Sequence, residues 1–251
     1  MTLQQFFAQV PKAALAFSGG TDSAFLMWAS RQYGCALRAY YIKTAFQPAF
    51  ELADARRLAE ELGVPMTVVE LDVLSVPEAA ENGPRRCYYC KKALFTRLRQ
   101  AAAADGYTVL IDGTNASDDA GDRPGMVALR ELEVRSPLRE CGITKAEVRR
   151  LSKEAGLFTW DKPAYACLAT RIPTGTAVTA EMLTRVENAE SALAGLGFVD
   201  FRVRVADGAA RLQVTGDQMP MVLEKREEIL KALAPDFSAV TLDLAPRRAS
   251  V

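Results

Sequence analysis

Ser18-Gly19-Gly20-Thr21-Asp22-Ser23 follows directly on an apolar run at 13–17. Two glycines after a short strand let the backbone approach a ligand with no Cβ in the way. A helix restarting at Asp22 then points its free N–H groups, and the positive end of its dipole, at an anion. The segment is therefore a candidate phosphate cradle made of Ser18, Gly19, Gly20, Asp22 and Ser23. It is not a Walker A loop, because no lysine follows the glycines at the required spacing. A second group with chemical potential is Arg86-Cys87-Tyr88-Tyr89-Cys90-Lys91-Lys92. A C-x-x-C ahead of a helix is open to three readings: a zinc knuckle, a redox pair or half of a cluster site. Zinc wants four ligands, and neither a second C-x-x-C nor a histidine is present to complete the set. Cys167 lies between Lys162 and Arg171, two cations that favour the nucleophilic and metal-binding thiolate. Thiolates of Cys87, Cys90 and Cys167 are a ligand set for three irons of a 4Fe-4S cluster, with the fourth iron left open. Cys141 and Cys35 read as packing residues.

The elements that must position these groups alternate. Strand patterns at 13–17, 37–43, 66–71 and 108–111 are interleaved with helix patterns at 22–33, 50–62 and 91–104. Such alternation predicts an α/β fold, a doubly wound and mainly parallel sheet with helices on both faces. Ligands bind such sheets at the carboxyl ends of the strands. The 18–20 loop and Asp112-Gly113-Thr114-Asn115 both follow strands, so both belong on that edge. The polar stretch 117–125 reads as an active-site loop. Thr144 and Glu147 form a capping box for a helix over 144–155, stopped by Gly156. After about 178 the order becomes helix (179–196), hairpin (201–205 and 209–214 around Asp207-Gly208), helix (217–233) and strand (239–244). This predicts a smaller C-terminal α+β domain, with a boundary that divides the chain into 1–175 and 176–251. Arg202 and Arg204 stand at i, i+2 on one strand face, which suits a guanidinium clamp on phosphate.

Composition removes whole classes of mechanism. The chain of 251 residues contains no histidine, which excludes a Ser-His-Asp triad, a histidine general base and histidine-ligated metals. Its formal net charge is zero, so bulk electrostatics do not recruit nucleic acid or an anionic membrane. No apolar run is long enough for a membrane span, and the N-terminal stretch lacks a signal-peptide pattern. The expectation is a cytoplasmic protein with reduced cysteines.

The S-G-G-T-D-S loop resembles the PP-loop of the N-type ATP pyrophosphatases, which hold the pyrophosphate of ATP while AMP is transferred. Together with R-C-Y-Y-C-K-K, D-G-T-N, G-D-R-P-G, R-S-P-L, W-D-K-P-A-Y-A-C-L-A-T-R-I-P-T-G and the final R-V-R, the chain resembles the LarE family over nearly its whole length. That resemblance implies ATP-dependent sulfur transfer in making the nickel-pincer cofactor of lactate racemase. ATP adenylates a carboxylate of pyridinium-3,5-dicarboxylate mononucleotide, and sulfur then displaces AMP to leave a thiocarboxylate. The family has two sulfur sources. In one, the cysteine at the Cys167 position gives up its own sulfur. In the other, that cysteine and a C-x-x-C hold a 4Fe-4S cluster carrying hydrosulfide on its open iron. Possession of Cys87, Cys90 and Cys167 favours the cluster. The resemblance further implies ATP and Mg²⁺ at Ser18, Gly19, Gly20, Asp22, Ser23, Lys43 and Gly113. It implies the substrate's phosphate at Glu190, Arg202 and Arg204, with Arg171 orienting the carboxylate. A sulfide or sulfur donor and a homo-oligomer, assembled through the C-terminal domain, complete the expectation. The competing readings are a tRNA-thiolating PP-loop enzyme, an ammonia-dependent ligase of the same fold, and a non-enzymatic adenine-nucleotide-binding protein.

Overall fold

A computed structural model describes residues 1–118, 124–163 and 165–248. Contacts divide the chain into two compact units, 1–79 with 85–162 and 80–84 with 163–248, the terminal residues after 248 lying outside the description.

In the first unit β1 (Lys12–Ala16), β2 (Ala36–Lys43), β3 (Met66–Glu70) and β4 (Leu110–Ile111) form one sheet in the order β3-β2-β1-β4. Every pairing in it is parallel. Alternation along the strands sends side chains to both faces. Ala13, Leu15, Leu37, Ala39 and Tyr41 pack with α1 (Leu3–Gln9), α2 (Thr21–Gln32) and α3 (Ala49–Glu61) on one side. Ala14, Tyr40, Val69 and Leu110 pack with Leu98 and Ala102 of α5 (Arg86–Ala104) on the other. The doubly wound α/β arrangement is therefore present. Connections between the strands add α4 (Pro77–Ala80), while α6 (Pro124–Glu131), α7 (Pro137–Glu140) and α8 (Lys145–Glu154) follow β4. The capping box at Thr144 and Glu147 forms as its sequence predicts, and Gly156 adopts a positive φ beyond the helix end. Most of the 117–125 loop, residues 119–123, falls outside the described residues.

The second unit holds α9 (Ala180–Gly195), β5 (Arg202–Ala206), β6 (Ala209–Gln213), α10 (Met219–Glu224), α11 (Arg226–Leu233) and β7 (Val240–Leu242). Its sheet runs β5-β6-β7, with β5 and β6 antiparallel and β6 and β7 parallel. Asp207 and Gly208 both take positive φ, the backbone a two-residue hairpin turn requires. The single helix expected over 217–233 is instead two, broken at Lys225, with Pro220 in the first turn of α10.

The division falls between Lys162 and Pro163 rather than at 175, and it assigns 80–84 to the second unit. Asn82 supplies the reason. Its side-chain amide donates to the carbonyls of Pro173 and Thr176 at 2.9 Å, and its own carbonyl accepts from Gly175 N.

Candidate active site

In the first unit, the loop between β1 and α2 is fastened to itself. Ser18 Oγ lies 3.1 Å from Ser23 Oγ and accepts from Gly20 N at 3.3 Å. Ser23 Oγ donates to Gly20 O at 3.1 Å. Gly19 has φ +72°, and a Cβ there would meet Ala55 Cβ and Glu51 O at 3.3 Å. Both its conformation and its neighbours demand glycine. Gly113 packs closely on the start of α2. A Cβ on it would meet Ser23 N at 3.0 Å and Asp22 Cβ at 3.3 Å, so the room it makes is for the start of α2.

Asp22, in the first turn of α2, receives Lys145 Nζ at 2.6 Å and Asn115 Nδ2 at 3.4 Å. The D-G-T-N loop thus reaches the PP-loop side by side with it, as the strand-edge argument requires. Asp112, the first residue of that loop, is internally engaged: it accepts from Thr114 Oγ1 at 2.6 Å and Ser136 Oγ at 2.7 Å. Lys43 ends β2, and its ammonium donates to Gln47 O at 2.9 Å. Beside Ser18 opens a cavity of about 250 Å³, with an apolar floor from Ala16, Phe17, Ile42, Leu94 and Phe95. An apolar pocket bordered by an N–H-lined glycine loop can take a flat base and a phosphate chain together.

No family model matches the chain. It is 37% identical, over 96% of its length and 92% of the relative's, to an uncharacterised protein of Synechocystis. It is 32% identical, over 97% of its length and 89% of the relative's, to the pyridinium-3,5-bisthiocarboxylic acid mononucleotide synthase of Lactiplantibacillus plantarum. The chain belongs to the LarE family. LarE proteins are PP-loop enzymes, ATP-dependent sulfurtransferases. A tRNA-specific 2-thiouridylase of Pseudothermotoga lettingae is 25% identical over 60% of this chain and 54% of its own.

The cysteines of this LarE-family chain fall into two classes. Cys35 is buried, its thiol donates to Val10 O at 3.3 Å, and burial pushes its pKa up to about 11. Cys141 packs against the same core, and desolvation raises its thiol as well. Both pack in the first unit's core, where the sequence reading put them as packing residues. Cys87 is exposed; Cys90 and Cys167 are half-buried; none is in a disulfide. The helix carrying the C-x-x-C begins earlier than its sequence predicts. Cys87 and Cys90 lie inside the first turns of α5, on one face at i, i+3, instead of ahead of the helix. Arg86 Nη2 stands 3.9 Å from Cys87 Sγ. Cys167 lies in the other unit, where it opens a short 3₁₀ turn over Leu168–Arg171. Among the described residues, no three metal-ligating side chains are already gathered.

That 3₁₀ turn is pinned by Arg171, which is only 1% exposed. Its Nε and Nη2 form a fork on Glu190 at 2.8 and 3.0 Å, and its Nη1 donates to Ala166 O and Thr170 Oγ1 at 2.8 Å. The sequence reading gives Arg171 the substrate carboxylate; the structure buries it and directs it to the Cys167 turn. Glu190 also accepts from Val203 N at 2.9 Å and from the Tyr165 hydroxyl. Burial and the neighbouring carboxylate raise the Tyr165 phenol. Arg204 Nη1 donates to Thr170 O at 2.7 Å and its Nε to Gln213. Arg202 is 6% exposed and stacks over Tyr165, 5.2 Å from the ring centroid. Burial, and then Arg171 and Arg247, lower Arg202 to about 10. The structure thus brings Arg171, Glu190, Arg202 and Arg204 into one cluster around Cys167's turn.

Two further participants take roles that the sequence did not indicate, Lys162 having been read there as a cation favouring the Cys167 thiolate. Lys162 donates to Asp54 at 2.6 Å and reaches Gly19 O at 3.4 Å, so it braces the glycine loop. Arg247 donates to Asp200 Oδ1 at 3.0 Å beside Arg202. The W-D-K-P motif contained the first of these; nothing in the sequence near Arg247 marked the second. Among the described residues no helix is long and apolar enough to cross a membrane.

Proposed function

We propose that this protein inserts sulfur into pyridinium-3,5-dicarboxylate mononucleotide at the expense of ATP, in nickel-pincer cofactor biosynthesis. What carries the reading is the similarity, across 97% of this chain, to an enzyme named for the bisthiocarboxylic product. A substrate carboxylate oxygen attacks the α-phosphorus of ATP, and pyrophosphate leaves with the electrons of the broken P–O bond. The acyl adenylate then loses AMP as sulfide attacks the acyl carbon, and a thiocarboxylate remains. Ser18, Gly19, Gly20 and Ser23 cradle the pyrophosphate with N–H and hydroxyl groups. Asp22 is the carboxylate that would hold Mg²⁺, giving up its bridge to Lys145 as the metal binds; the ion would neutralise phosphate charge.

The second unit would hold the substrate's phosphate. Arg202 with the neighbouring guanidiniums of Arg171 and Arg247 outnumbers the carboxylates of Glu190 and Asp200 around it. A buried excess of cations calls for an anion, and a guanidinium meets phosphate through a planar fork. Glu190 and Arg171 position this surface, and Arg171 sets the turn that presents Cys167.

For the sulfur, the donor set of Cys87, Cys90 and Cys167 fits a 4Fe-4S cluster: three reduced cysteines, one exposed and two half-buried, with two of them on one helix face. Bound there, the cluster would supply hydrosulfide from an iron that no protein thiolate occupies. The thiol donors, and not a preformed cage, support this assignment. The second reading, favoured by the presentation of Cys167 at the head of a rigid turn, has its thiolate attack the acyl adenylate. Elimination then breaks its Cβ–S bond and leaves dehydroalanine.

Anaerobic protein reconstituted with iron and sulfide, supplied with ATP and substrate, should form thiocarboxylate, AMP and pyrophosphate over several turnovers, and Cys87→Ala should stop it. If protein without iron transfers one sulfur per chain and Cys87→Ala does the same, Cys167 itself is the donor. Pyrophosphate release that requires tRNA, lost at raised salt, would favour the tRNA-thiolating alternative.

A further inference from the structure

We propose that Lys91, the residue after the second cysteine of the C-x-x-C, binds the phosphate chain of the nucleotide in the first unit. The inference rests on the reading of that unit as an ATP site and adds a contact to it. Lys91, Leu94, Phe95 and Leu98 fall at i, i+3, i+4 and i+7 on α5, and all four line the cavity beside Ser18. Three of them are apolar and form its wall. The fourth brings an ammonium group to the turn nearest the helix start.

The neighbouring cations of the unit are spent. Lys145 pairs with Asp22, Lys162 with Asp54, and Lys43 donates to Gln47 O. Lys91 Nζ makes no hydrogen bond or ion pair among the described residues. Glu51 also lines the cavity. A half-buried lysine with no partner among the described residues, at the edge of an apolar pocket and a glycine loop, is placed for an anionic ligand.

A glycine keeps its path clear. A Cβ on Gly125, in the first turn of α6, would lie 2.9 Å from Lys91 Cδ and 3.2 Å from Cε. The stem of Lys91 thus lies directly on the Gly125 backbone, and any side chain there displaces it. Lys91 also joins two steps of the reaction in one helix, since the next residue back is Cys90.

The test is equilibrium binding of ATP and adenosine to the full-length protein, Lys91→Ala and Gly125→Ala, with folding checked by circular dichroism. Loss of a charge-assisted contact predicts ATP binding about tenfold or more weaker in Lys91→Ala, with adenosine within about twofold. Gly125→Ala keeps the charge but moves the stem, so it should weaken ATP by less and leave adenosine alone. Unchanged ATP affinity in Lys91→Ala, or an equal loss for adenosine, would overturn the proposal. A wild-type protein that binds adenosine and ATP equally would also overturn it, because no phosphate contact would exist. Failure of the wild type to bind either ligand would remove the nucleotide reading itself, and Lys91's role with it.

Discussion

On the proposed function, the two units would hold an anion in opposite ways. The first uses backbone: a glycine loop and a helix start, with serine hydroxyls folded back on the chain at 3.1 to 3.3 Å. Its charged pairs, Lys145 with Asp22 and Lys162 with Asp54, are partly solvated. The second unit uses side chains: Arg171 and Arg202 are 1% and 6% exposed and crowd around Glu190. Backbone dipoles need no desolvated ion in the empty state. Buried guanidiniums do, and the lowering of Arg202 to about 10 records that cost. The contrast suits the proposed ligands. ATP arrives with its own metal and leaves in pieces, so a shallow, exchangeable site serves it. A substrate that must stay while its carboxylate is activated and then sulfurated is better held by fixed charge.

Substitutions can break this comparison. The largest effect is expected at Cys167→Ala, which should abolish thiocarboxylate while pyrophosphate release from ATP plus substrate persists; mass spectrometry and a pyrophosphate assay read the two steps apart. Next comes Glu190→Gln in the second unit. It leaves Arg171 buried against a neutral partner, and denaturant unfolding should show a loss of about 3–5 kcal/mol. If the loss is under about 1 kcal/mol, the second site is not the prearranged charge cluster described above.

Asp22→Asn should behave oppositely. Its bridge to Lys145 is partly exposed, so stability should change by less than about 1 kcal/mol, whereas ATP-dependent pyrophosphate release should fall about 100-fold. Gly113→Ala forces a methyl to within 3.0 Å of Ser23 N. A thermal-unfolding loss of about 1–3 kcal/mol is expected, together with weaker ATP binding. The smallest effect belongs to Thr144→Ala, which removes the cap of α8 and should cost about 1 kcal/mol with substrate handling intact.

What the sequence disclosed follows from how local the information was. The glycine loop, the parallel strands and the Asp207-Gly208 hairpin are written in neighbouring residues, and each forms where the pattern puts it. The start of α5 was hidden because Arg85 caps it without a side-chain hydrogen bond, and Cys-Tyr-Tyr-Cys carries little helix preference. The true division between the units was hidden for another reason. It depends on Asn82, at φ +58°, bonding to residues about ninety positions away. The partners of Arg171 and Lys162 are equally nonlocal. Residue types could nominate both, but only the folded chain shows that one holds the Cys167 turn and the other the glycine loop.

The central claim is that ATP activates a carboxylate of the substrate for sulfur. It is tested most directly by giving the enzyme substrate labelled with heavy oxygen in its carboxylates and weighing the AMP released. The account predicts that each AMP carries one labelled oxygen, in step with thiocarboxylate formed. Unlabelled AMP alongside thiocarboxylate would contradict it, because the acyl oxygen would then never have been joined to phosphorus.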